Sequence, residues 1–398
     1  MSKQSFRLAF LFAATYFASY LTRINFAAVI AEMITDMQVS KTAFSLALTG
    51  CSVTYGAGQI ISGLCGDRIR PKRLVLFGLL LACFMNLLIP FCTHPAQMTV
   101  IWCINGFAQA FMWPPMTAIL AQSIPEEDYS RATVLISQGS SAGSIAVYLI
   151  APLLITLWGW KSVFITSALI ALAICPIWVL RCPNVPPARK VQDAAPAQGS
   201  SVRLFTPFFL MLMAGIVLQG MLRDGVTTWM PSFIAETYSL SNAISILTGV
   251  ALPVFSMLSF SLSNTVYRKW FSNPAQCAAA IFGFGAACAL ILYLTSGKSA
   301  ISSVVFSALL TGAMHGINLM LIGLIPPYFK NFGKVSTVSG ILNSCTYIGS
   351  AISTYGVAAF SEYAGWHPTL LVWFAIALSG TILCYICGYP ARKKSGIF

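Results

Sequence analysis

The sequence predicts an all-α membrane protein of twelve transmembrane helices arranged as two six-helix, pseudo-symmetric halves. Three observations carry this expectation. Of the 398 residues, 57% are apolar and only 8% charged, and the mean hydropathy is +0.79; soluble domains carry about a quarter charged residues. Apolar runs of about 18 residues or more, each sufficient to cross a bilayer as a helix, recur along the whole chain. The loops between them alternate between basic and nearly neutral.

The first half, residues 1–181, holds spans at roughly 8–30, 43–65, 74–92, 97–121, 133–157 and 161–180. Span 1 continues past Arg23 with no small-residue cleavage site, so it reads as a retained helix rather than a signal peptide. Residues 182–206 break the pattern. Polar and rich in Pro, Ala and Ser, they read as a cytoplasmic linker. The second half, 207–398, repeats the plan with spans at roughly 207–234, 242–266, 275–295, 300–325, 335–359 and 367–389. Of the 23 Lys and Arg residues, only Lys41, Lys161 and Lys298 fall in loops opposite the N-terminus, and only Arg23 and Arg223 fall within spans. All the others lie on the N-terminal side. The positive-inside rule then puts both termini in the cytoplasm of a multi-pass plasma-membrane protein, the inner membrane in a Gram-negative cell. The formal charge of +13 therefore reports topology and contact with the anionic lipid bilayer, and not nucleic-acid binding.

A charge at membrane depth costs about 2.5–3.5 kcal/mol on insertion scales, so such a residue usually faces a cavity or a pathway. Arg23 sits about 15 residues into span 1 and Arg223 about 16 into span 7, at similar depth in their helices. Two cations at matched depth, one in each of two parallel repeats, point to a shared site for a small organic anion, as in a transporter. Tyr16 and Tyr20 are spaced to share one helical face with Arg23, where their hydroxyls can donate to an anionic oxygen. Other polar residues recur in the spans: Tyr55 and Gln59, Gln109 and Trp113, Gln138, His315 and Asn318, Asn343, Tyr347 and Tyr355. Such groups need partners in a low-dielectric interior. They either form a hydrogen-bonded cavity or satisfy one another between helices. Asp224 is the one carboxylate near mid-span. Because a guanidinium does not cycle protons, Asp224 and His315 are the candidates for proton coupling, with Asp224 equally a structural partner for Arg223.

The twelve cysteines are scattered through apolar runs as small buried hydrophobes, and the three histidines form no cluster. No metal or cofactor is expected. No set of nucleophile, base and oxyanion donor suggests an enzyme.

The stretch Gly63-Leu-Cys-Gly-Asp67-Arg68-Ile-Arg70-Pro-Lys72-Arg73 resembles the signature loop of the major facilitator superfamily. Tyr16-x3-Tyr20-x2-Arg23-x-Asn25-Phe26, Gln109-x3-Trp113-Pro114-Pro115, Leu222-Arg223-Asp224-Gly225-x3-Trp229-x-Pro231 and Gly340…Tyr347-x-Gly349 resemble its organophosphate:phosphate antiporters. The resemblance implies the major facilitator fold and a monomeric, ATP-independent rocker-switch exchange of phosphate esters for inorganic phosphate. It implies that Arg23 and Arg223 hold the phosphoryl group, and that Tyr16, Tyr20, Tyr55, Trp113 and Tyr347 line the pocket. Asp67, Arg68, Arg70, Lys72 and Arg73 would form a cytoplasmic gate. The chain departs from the family's glycerol-3-phosphate transporter at Ile24 and Gln59, where that protein has lysines, at Ala142 for a histidine and at Gly220 for a tyrosine. His315 takes a usually aromatic place. Gln59 and His315 are taken as pocket residues, and the smaller side chain at Gly220 suggests a bulkier phosphorylated solute. Two alternatives stand beside this reading: a proton-coupled symporter of organic carboxylates such as sugar acids, and a non-transporting phosphate-ester sensor.

Overall fold

The computed structural model describes residues 1–38, 41–187, 206–239 and 251–388. Among them there is helix but no strand. In chain order the helices are α1 (Lys3–Met37), α2 (Lys41–Arg68), α3 (Pro71–Leu88), α4 (Pro95–Gln109), α5 (Trp113–Ser123), α6 (Glu126–Trp158) and α7 (Lys161–Arg181). They continue with α8 (Pro207–Tyr238), α9 (Ala251–Trp270), α10 (Pro274–Thr295), α11 (Ala300–Asn318), α12 (Val335–Ala364) and α13 (Trp366–Gly388). Helix overlaps each of the twelve expected spans. The expected linker and the start of the eighth span lie largely outside the described residues.

By length and composition alone, 7 helical segments among the described residues can cross a membrane. Those that fall short are α1, α2, α4 with α5, α9 and α12, and all but α9 carry candidate site residues. The helices α4 and α5 fall short by length, at 15 and 11 residues, because the break before Pro114 and Pro115 divides that span.

Two expected spans depart from regular α-helix close to paired prolines. Between α4 and α5 the backbone tightens to i,i+3 bonds, with Phe111 donating to the Ala108 carbonyl and Met112 to that of Gln109. Pro114 and Pro115 follow in the first turn of α5, where their missing N–H groups are tolerated. After α11 the chain widens into a π-helical turn, Leu319–Gly323, in which Leu324 donates to Leu319 at 3.1 Å. Pro326 and Pro327 then prevent the ladder from continuing.

The chain forms two compact units, Met1–Gly199 with Phe329–Ser344, and Ser200–Tyr328 with Cys345–Phe398. In the first, α1 packs on α6 and α7, α2 on α4, and α3 on α4 and α7. The Phe26 ring lies tilted at 4.8 Å from that of Trp102, and both meet the Phe164 ring edge-on. Here α12 begins against α2: a Cβ at Gly63 would lie 2.7 Å from the Ser336 carbonyl oxygen, so the crossing requires glycine. In the second unit, α10 packs on α11 and α13, and α8 on α11 and α13. Helices in lipid gain little from burying apolar surface against each other, so packing and interhelical hydrogen bonds, about 0.6 kcal/mol each on average, hold them.

Candidate substrate-binding residues

In the N-terminal unit, α1 presents Tyr16, Tyr20 and Arg23 on one face. The Tyr16 ring lies 5.1 Å from that of Tyr20 and 5.5 Å from that of Trp113, at the start of α5. The Arg23 guanidinium lies 3.9 Å from the Tyr55 ring centroid and 5.4 Å from that of Tyr20. Five of the expected residues are therefore one cluster, drawn from α1, α2 and α5. Aromatic faces offset part of the cost of a desolvated cation, about 0.5–2 kcal/mol per contact. Two N–H donors in this unit are buried without a partner among the described residues: Gln59 Nε2 and Trp113 Nε1. Gln59 is fully buried on α2 and accepts from Asn343 of α12 at 3.0 Å.

The opposite side of α1 carries a different kind of polarity. Gln109 donates to the Thr22 hydroxyl at 2.9 Å and accepts from Ser19, while Asn105 and Asn86 both donate to the Thr22 carbonyl. Asn25 donates to Asn86 at 2.7 Å. All are buried. Of the two readings left open for such groups, mutual satisfaction between helices holds for Gln109, whereas Gln59 retains an unpaired donor. Asn86 and Asn105 were legible only as isolated polar residues in apolar runs.

In the C-terminal unit, Arg223 and Asp224 form a two-point ion pair, Nε to Oδ1 at 2.6 Å and Nη2 to Oδ2 at 2.8 Å. The Ser350 hydroxyl is also within hydrogen-bonding reach of Asp224, and His315 is among its electrostatic neighbours. The Tyr347 ring lies 6.0 Å from the Arg223 guanidinium, and His315 meets the Phe260 ring edge-on. Arg223, Asp224, His315 and Tyr347 thus come together. Tyr355 is 80% exposed and stands apart from them.

At Gly220 the structure corrects an expectation. A Cβ there would collide with the Thr346 carbonyl oxygen of α12. The space left by the absent side chain is taken by backbone, so this glycine serves a helix crossing and leaves no extra room for a solute.

The five loop residues divide among different tasks. Asp67, 4% exposed, accepts from the backbone N–H groups of Ser336 and Thr337 at 2.9 and 2.8 Å, capping the N-terminus of α12. Lys72 donates to the Cys182 carbonyl at the end of α7, while its own carbonyl accepts from Trp178; it ties α3 to α7. Arg68, Arg70 and Arg73 are exposed.

Residues 12–354 match the family profile described as Major Facilitator Superfamily. The chain belongs to the major facilitator superfamily. Membership makes it a multi-pass membrane transporter and not an enzyme. This transporter is 24% identical over 378 residues to the glycerol-3-phosphate transporter of Bacillus subtilis (strain 168), covering 87% of this chain and 83% of the relative. It is 21% identical over 428 residues to a probable hexose phosphate transport protein of Chlamydia trachomatis, covering 96% and 90%. The resemblance read from the motifs is borne out by such relatives. A crystal structure of the superfamily transporter FucP superposes with a TM-score of 0.76 at 13% identity, covering 98% of this chain and all of that one; at that identity the likeness shows the shared fold.

Proposed function

We propose that the transporter moves organic phosphate esters across the plasma membrane by rocker-switch alternating access. It exchanges them for inorganic phosphate, with Arg23 and Arg223 holding the anion. It acts as a monomer with both termini in the cytoplasm. The observation that supports this most is the Arg23 cluster. It combines a guanidinium over two tyrosine rings with the unpaired N–H donors of Gln59 and Trp113 in the same unit. A buried donor without a partner costs about 1–3 kcal/mol. A phosphoryl group offers several strong acceptors and the negative charge that a guanidinium fork binds at two points. The names of the glycerol-phosphate and hexose-phosphate relatives agree with this chemistry. Binding favours closure only through contacts made better in the closed arrangement than in the open one.

A second reading is favoured by the Arg223–Asp224 pair. In it Arg223 carries an internal counter-ion, and an entering anion competes with Asp224 unless that carboxylate takes up a proton. Transport would then be proton-coupled, and organic carboxylates would be admissible substrates.

Counterflow into proteoliposomes preloaded with phosphate separates the two. External glycerol-3-phosphate, glucose-6-phosphate and galactonate are offered with and without an inward proton gradient. Exchange with internal phosphate that ignores the gradient is the expected result. Gradient-driven uptake into phosphate-free vesicles establishes the second reading instead, and binding without flux overturns both.

A further inference from the structure

The two arginine-bearing helices end alike. Asp36 lies thirteen residues after Arg23 in the last turn of α1, and Glu236 lies thirteen residues after Arg223 in the last turn of α8. Trp160, at the N-cap of α7, donates its indole N–H to Asp36 at 2.8 Å. Trp366, at the start of α13, donates its indole N–H to Glu236 at 2.6 Å. Each tryptophan directly follows a left-handed glycine, Gly159 at φ +75° and Gly365 at φ +83°. That turn ends the preceding helix and delivers the indole to the carboxylate. The residue one helical turn before each acid is buried: Met33 belongs to the same buried cluster as Trp160, and the Phe233 ring lies 5.6 Å from that of Trp366. A tryptophan placed only as an interfacial anchor needs neither the carboxylate nor the glycine, and does not account for an acid partner thirteen residues after the arginine in both halves.

We propose that Trp160–Asp36 and Trp366–Glu236 are a repeated clasp that seats α1 and α8 against the last helix of their own half and so positions Arg23 and Arg223. The clasp stands about 20 Å along the helix from the arginine at 1.5 Å per residue, too far for contact with a bound anion. It acts on the setting of the helix: a charge-assisted bond to a rigid indole resists rotation and axial slip of the segment that carries the guanidinium. All four side chains are therefore positioning residues. The assignment rests on the reading of the arginines as anion ligands, and the test keeps the two separable.

The full chain is reconstituted in nanodiscs as wild type, Asp36→Ala, Asp36→Asn, Trp160→Phe, Glu236→Ala, Glu236→Gln and Trp366→Phe. Inorganic phosphate binding is measured beside hydrogen–deuterium exchange of peptides spanning 16–25 and 216–225. Asp36→Ala and Trp160→Phe should raise exchange in the first peptide and weaken phosphate binding about three- to tenfold. The amide in Asp36→Asn, which still accepts the indole N–H, should restore both. The Glu236 and Trp366 variants should do the same for the second peptide. Exchange that rises only in the last turn, with phosphate affinity unchanged, overturns the clasp. So does an Asn or Gln variant as impaired as the Ala variant. A wild type that does not bind phosphate overturns the ligand assignment instead, while the exchange data still decide the clasp.

Discussion

Arg23 and Arg223 are equal in sequence and unequal in setting. Arg23 rests on the tyrosine rings of α1 and α2, whereas Arg223 grips the carboxylate beside it. Lysine keeps the charge at either place but gives up the planar fork, so Arg23→Lys should cost about 1.5–3 kcal/mol of anion binding. That is about ten- to a hundredfold in the KM for phosphate-ester uptake, and an unchanged KM in reconstituted vesicles defeats the assignment. Asp224→Asn should free Arg223 for the anion. The expected outcome is a KM for phosphate-ester uptake lowered by a few fold in reconstituted vesicles. A variant that exchanges normally but no longer concentrates its substrate would identify Asp224 as the proton carrier. The same scale explains Gln59. Its Oε1 is engaged by Asn343 while its Nε2 has no partner among the described residues, so Gln59→Leu should impair substrate affinity more than thermal stability.

Among elements, α12 has the most demanding surroundings. Its N-terminus is capped by Asp67, its first turns cross α2 at Gly63, and further along it passes α8 at Gly220. Asp67→Ala removes two charge-assisted bonds from the orphan N–H groups of the helix and should cost about 1–2 kcal/mol, read as a lower thermal midpoint in detergent. Asp67→Asn, which keeps one acceptor oxygen, should recover part of that loss. Gly220→Ala should destabilise by about 1–3 kcal/mol through overpacking against the Thr346 carbonyl. If the residue stood in an open pocket, the substitution would leave stability untouched and change only substrate preference. The breaks at Pro114-Pro115 and Pro326-Pro327 follow the same logic, since a proline removes the donor on which an uninterrupted helix depends.

For the whole molecule, the charge pattern makes an orientational prediction. In intact cells, a cysteine placed at Lys298 of a cysteine-less background should react with an impermeant maleimide, and one placed at Lys3 only after permeabilisation. The reverse result would invert the proposed topology.

The membrane class, the spans and the paired arginines are legible without a structure because bilayer thickness, loop charge and the cost of a buried cation act on one segment at a time. The Tyr16–Tyr20–Arg23 face is legible for the same reason: helical spacing alone aligns it. Partnership is not local. Which polar groups pair with each other depends on helices far apart in sequence, and only their packing separates Gln109, consumed by Ser19 and Thr22, from Gln59, left with an unpaired donor. Tertiary packing likewise turned Gly220 from a space into a crossing. It also gave Asp67 and Lys72, neighbours in one motif, to different helices. Composition and periodicity thus determined what kind of protein this is and where its charges enter the membrane. The close approach of helices decided which polar groups are paired with one another.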